Sequence, residues 1–196
     1  MNQSCILTVF GFLILMISCD NNKEIEAKIG QMKSCPIDLC LDSLHYFSNS
    51  NCQGIDSLSF YNKNISLVVY SDSNFCTICG LKKLYQWYDV LSIIRDKYNG
   101  IVKVYFIFAP SKEQVPDLDK AVKTSLIDYP VFFDYNNVFA RRNTNIPADI
   151  TMHTFLLDEN GGIILVGSPL DNMRIRKLFF DYLDKKRNDN TFHNKK

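Results

Sequence analysis

Two cysteines two residues apart, Cys76-Thr-Ile-Cys79, lie between an apolar run, Ile65-Ser-Leu-Val-Val-Tyr70, and a helical pattern from Leu81 to Tyr98. The run is rich in β-branched residues, as buried strands are, and Ser71-Asp-Ser-Asn74 is turn chemistry. A dithiol placed between strand and helix is positioned for reaction. The free N–H groups of a helix's first turn, with the positive end of its dipole, stabilise a thiolate held there. Cys76, outermost, is expected to attack a disulfide, and Cys79, one turn on and more buried, to resolve the mixed disulfide. Two intervening residues let the ring close without unwinding the helix. Thiol–disulfide exchange of this kind uses no cofactor.

Other uses of the same residues remain open. Cys76, Cys79, His153 and Cys52 together form a donor set for copper or zinc. A Cys76–Cys79 bond is also compatible with a purely structural staple in a binding protein. His153 alone admits two roles, as a proton shuttle or ligand near Cys76, or as a strand-opening residue bonded to a neighbouring carbonyl.

The elements that must position the dithiol follow from patterning. Leu81, Leu84, Trp87, Tyr88, Leu91, Ile93 and Ile94 give the first helix a broad apolar face, with Trp87 in the core, and Asn99-Gly100 ends it. Val102–Phe108 is a second buried strand. Lys112–Leu126 contains Pro116 and reads as a helix starting near Asp117. Val131–Asp134 is a short strand, and Asn136–Asn145 a turn with a weak helix. Thr154–Asp158 and Ile163–Gly167 form a hairpin around Glu159-Asn-Gly-Gly162. Asn172–Lys186 closes the chain as an amphipathic helix with Ile175, Leu178, Phe179, Tyr182 and Leu183 inward. Between Gly30 and Gly54 the periodicity is mixed, which suggests one or two edge strands, with a structural bridge among Cys35, Cys40 and Cys52.

Phe75-Cys-Thr-Ile-Cys79 at a helix start, Thr154-Phe-Leu-Leu-Asp-Glu-Asn-Gly161 before Ile163-Ile-Leu-Val-Gly167, and the terminal helix resemble a thioredoxin-like lipoprotein of the TlpA-related kind. The resemblance spans Ile65 to Leu183. It implies an α/β, thioredoxin-like fold, a central mixed sheet flanked by helices, here with a short N-terminal β extension. It also implies Cys76 and Cys79 as the catalytic pair of an oxidoreductase acting on protein or small disulfides. Three positions depart from that pattern. Phe75 stands where tryptophan is usual, Ile65–Tyr70 holds no acidic residue, and Met152-His153 replaces the proline expected before the strand Thr154–Leu157. Pro147 lies too far upstream to substitute. The Pro-x-x-x-Thr/Ser-x-x-Cys pattern of peroxiredoxins is absent before Cys76.

Ile6–Ile17 is an apolar run of 12 residues ending at Ser18-Cys19. It is shorter than the roughly 20 residues a membrane span requires, and fits a signal-peptide core. Met16-Ile-Ser-Cys19 resembles a bacterial lipobox, which implies a signal peptide over residues 1–19 and a lipid on Cys19. Residues 20–54 then read as a tether and a poorly defined extension, 55–186 as the thioredoxin-like domain and 187–196 as a polar tail. The expected location is the cell envelope, lipid-anchored on the periplasmic side or at the cell surface. Exported protein thiols or disulfides and a redox partner would be its clients. A net charge of +1 over 196 residues gives no basis for nucleic-acid binding.

Overall fold

A computed structural model describes residues 22–47, 64–125 and 129–193, with side chains to residue 189. The segment read as a signal peptide, with Cys5 and Cys19, and Cys52 lie outside the described residues. A helix, α1, covers residues 22–32. Then come β1 (His45–Phe47), β2 (Ile65–Ser71), α2 (Thr77–Lys83), α3 (Tyr88–Lys97), β3 (Val102–Phe108), α4 (Leu118–Thr124), β4 (Val131–Phe133), α5 (Val138–Arg142), β5 (Thr154–Leu157), β6 (Ile163–Val166) and α6 (Met173–His193). The strands form one mixed sheet in the order β1-β4-β3-β2-β5-β6. β2, β3 and β4 run parallel, and β1, β5 and β6 pair antiparallel to their neighbours.

Alternation along the strands builds a core on each face. Leu67, Val104, Phe106, Phe108 and Leu156 point to one side, where Leu81, Leu84, Trp87, Leu118, Phe179 and Leu183 cover them. Val68, Tyr70, Tyr105, Ile107 and Phe155 point to the other, beneath Met32, Ile37, Phe139 and Met152. Because β2, β3 and β4 are added in one direction across the sheet, right-handed crossovers place their connecting helices on the same face. That geometry sets α4 beside α2.

The helical pattern from Leu81 to Tyr98 folds as three pieces, with a 3₁₀ turn at Leu84–Trp87 between α2 and α3. Leu81, Leu84, Trp87 and Val90 recur every third residue, the period of a 3₁₀ helix, and all four are buried. The tightened turn keeps Trp87 over the sheet, edge-on to Phe106 at 5.6 Å. It also turns Tyr88 out to 71% exposure, where the sequence pattern placed it inward. Leu178 is likewise exposed, and α6 buries Phe179 and Leu183 instead. That helix continues through the segment expected to be a polar tail, as far as His193.

The segment read as a tether is helical over residues 22–32, and its end is fastened to the domain. Met32 is fully buried. Asn145 Nδ2 donates to the carbonyls of Met32 (2.7 Å) and Cys35 (3.0 Å), and Lys28 Nζ reaches Asp149 at 2.8 Å. The chain then crosses the β5–β6 turn, where the Ile37 N–H donates to the Gly161 carbonyl at 2.8 Å. Gly161 has φ +84, and a Cβ there would come within 2.6 Å of the Ile37 oxygen, so glycine is required on two counts.

Candidate active site

The loop after β2 is an Asx turn. Asp72 Oδ1 accepts the Asn74 N–H at 3.0 Å, and the Asp72 carbonyl accepts the Phe75 N–H at 3.1 Å. This turn delivers Cys76 to the N-cap of α2, where its Sγ accepts the Cys79 N–H at 3.2 Å. Cys76 and Cys79 are joined by a disulfide, with their Cα atoms 5.2 Å apart. The sequence-expected pair is therefore brought together at the start of a helix.

The expected burial of Cys79 is not observed, since both Cys76 and Cys79 are exposed. Thr77, not Cys79, faces the interior, and it is fully buried. At about 100° per residue, the phase that carries Leu81 and Leu84 inward reaches back to Thr77 and Gly80 and turns Cys79 outward. Gly80 meets the sheet so closely that a Cβ would stand 2.8 Å from Phe108 Cε1. Lys82 and Lys83 lie on the exposed side, as a solvated face requires.

A largely apolar groove borders the loop, lined by Phe75, Trp87, Phe108, Ile150 and His153 among others. A 3₁₀ turn at Ile150–Met152, capped by Asp149, precedes β5. His153 follows it, 5% exposed, with Nε2 bonded to the Pro147 carbonyl at 2.8 Å and its ring 5.1 Å from that of Tyr70. This is the structural role of a strand-opening histidine. Among the described residues, no three His, Cys, Asp or Glu side chains converge to hold a metal ion. A buried acid does exist, Asp134, but its carboxylate oxygens accept the Val138 and Phe139 N–H groups at 2.8 Å each and so cap α5. On β2 itself the Tyr70 hydroxyl is pushed up by burial and by Asp72 and Asp134, so it stays protonated.

Cys35 and Cys40 are free thiols, so the bridge expected among the N-terminal cysteines is absent at both. Burial first, then the Asp38 carboxylate, pushes the Cys40 thiol up to about 11. One residue of the site escaped the sequence altogether. Gln114, in the turn between β3 and α4, hydrogen-bonds the peptide groups on both sides of Cys76. A glutamine in a turn carries no motif, and only the packing of α4 beside α2 brings it there.

No protein-family model and no curated protein matches the chain. Solved structures do. A protein from Chlorobium tepidum that carries the description thiol:disulfide interchange protein DsbE is 18% identical, with 71% of this chain and 93% of that one aligned and a TM-score of 0.48. A thioredoxin-like protein from Bacteroides caccae is 14% identical over 86% of this chain and 55% of its own, with a TM-score of 0.42. Yeast Sco1 with copper bound is 17% identical over 62% and 79%, with a TM-score of 0.42. The fold itself is legible in the connectivity: a βαβ unit through β2 and β3, then the antiparallel β5–β6 hairpin on the other side of β2, then a closing helix. By that strand order the chain has a thioredoxin-like α/β fold.

Proposed function

We propose that the protein is a thiol–disulfide oxidoreductase whose redox-active pair is Cys76 and Cys79. The observation that carries this is the bridge between two exposed cysteines at the start of α2, with Cys76 Sγ on a first-turn N–H. In the reducing direction the Cys76 thiolate attacks a client disulfide. A Cys76–client disulfide forms and one client sulfur leaves as a thiolate, which takes a proton from solvent. The Cys79 thiolate, its proton released to solvent, then attacks Cys76 Sγ. The second client sulfur leaves, and the pair ends as the Cys76–Cys79 disulfide. Two electrons pass from the dithiol to the client, and the oxidising direction is the same sequence reversed.

Because Cys79 and Cys76 are both exposed, burial does not fix which sulfur attacks first. The order comes from the helix start, which favours the thiolate at Cys76. The clients in this proposal are exported protein thiols or disulfides, met at a cell envelope to which Cys19 anchors the chain by a lipid. The test is a disulfide-reduction assay on the full chain. Cys76→Ala is expected to abolish turnover, and Cys79→Ala to accumulate a mixed disulfide with the client, visible by mass spectrometry. Parent-like turnover in both variants would refute the assignment.

A further inference from the structure

We infer that Gln114 is a positioning residue for Cys76: its side-chain amide grips the peptide groups on both sides of that cysteine and holds the sulfur at the start of α2. The inference rests on the proposed role of Cys76 as the attacking thiolate. Gln114 Oε1 accepts the Thr77 N–H at 3.1 Å, and Gln114 Nε2 donates to the Phe75 carbonyl at 3.4 Å. A primary amide presents an acceptor and a donor side by side, so one side chain can satisfy the carbonyl before a residue and the N–H after it.

The base of this clamp is itself fixed. The Gln114 N–H donates to the Ser111 carbonyl at 3.0 Å, and the Gln114 carbonyl accepts the Asp117 N–H at 3.2 Å. From there the chain enters α4, whose Leu118 is buried against the core beside α2. Gln114 apart, the loop before the cysteine has little to hold it: Asn74 and Phe75 are exposed, and among the described residues their backbone N–H groups are tied back to Asp72. Thr77 carries one of the orphan N–H groups of a helix start. That donor goes to the neutral Gln114 oxygen, and the sulfur accepts the Cys79 N–H. The clamp's neutrality matters as much as its reach. A carboxylate in its place would lose the donor to Phe75 and set a negative charge one peptide from the thiolate. Asp72 on the loop, Lys82 and Lys83 on α2, and Lys112 and Glu113 next to Gln114 in sequence carry charge, and the test leaves all of them in place.

The experiment measures the pH dependence of Cys76 alkylation by iodoacetamide in the reduced full chain, for the parent and for Gln114→Ala, Gln114→Met and Gln114→Glu. Circular dichroism confirms that each variant is folded. The expected result is a Cys76 pKa raised in all three. At pH 7 the Ala and Met variants should alkylate about three- to tenfold more slowly than the parent, and the Glu variant more slowly still, since one pKa unit is about tenfold in thiolate. A merely structural loss would lower the melting temperature without moving this profile. Three folded variants that match a parent with a low Cys76 pKa would overturn the clamp and leave the dithiol proposal standing. A parent whose Cys76 titrates like an ordinary thiol would overturn both.

Discussion

Cys76 and Cys40 occupy the same local position and have opposite chemistry. Each is the residue just before a helical turn, Cys76 before α2 and Cys40 before the 3₁₀ turn Leu41–Ser43. At Cys76 the sulfur is an acceptor, bonded by the Cys79 N–H, and the residue is exposed. At Cys40 the sulfur is a donor, directed at the Asp38 carbonyl at 3.2 Å, and the residue is 3% exposed. The Cys40 backbone is left-handed (φ 52), and its side chain makes no capping bond to the turn that follows. A cap position therefore does not by itself activate a thiol. What decides is whether the sulfur meets N–H groups and water, or a carbonyl, a carboxylate and the core.

The contrast can be broken most directly by comparing alkylation rates. With Cys40 pushed up to about 11, only about one molecule in a thousand carries its thiolate at pH 8. In the reduced native chain, peptide mapping should find Cys76 modified at least about a hundredfold faster than Cys40, and equal rates would erase the distinction. A smaller effect tests the contact that seats the Cys76 helix. Gly80→Ala forces a Cβ against Phe108, which is packed beside Phe133, and overpacking of this kind costs about 1–3 kcal/mol in chemical denaturation. An unchanged unfolding midpoint would mean that α2 can lift off the sheet freely.

The smallest effect concerns the side of the molecule that holds Cys40. The hydrogen bond from Lys28, then those from Thr151, lower the Asp149 pKa from 3.8 to about 2. A depressed carboxyl contributes stability above its unfolded pKa and loses it as pH falls through the folded one. The parent should therefore shed a small increment of stability between about pH 4 and pH 2, and Lys28→Met a smaller one because the Thr151 hydrogen bonds remain, so the gap between their unfolding midpoints narrows as pH falls through that window. The increment is small because both side chains are partly open to solvent, which screens the pair. Identical acid-unfolding curves would show that the Lys28–Asp149 pair does nothing to fasten α1, leaving Met32 and the Asn145 hydrogen bonds to hold it.

The sheet was legible because its strands are short apolar runs rich in β-branched residues and bounded by turn residues, as in Ile65–Ser71 and the Thr154–Val166 hairpin. Cys76 was legible for the same reason, being where the strand pattern stops and the helix pattern starts. The outward turn of Cys79 was also present in the sequence: extending the Leu81–Leu84 phase backwards passes through Thr77 and Gly80, whereas the family resemblance points to Cys79 instead. Three features had no local signal. α1 buries only its last turn, so its composition reads as a polar linker. Tyr88 is turned out by a change of helical pitch. Gln114 reaches the site across 37 residues of chain, through a crossover that sets α4 beside α2.

The way α1 is fastened also governs reach. Lys28 is tied to Asp149, one residue from the groove-lining Ile150, so the incoming polypeptide joins the domain close to where a client would dock. The helix is held from Lys28 onward, so residues 22–27 make a short arm of about 9 Å. Its point of attachment beside the groove narrows the directions from which a partner can approach that groove.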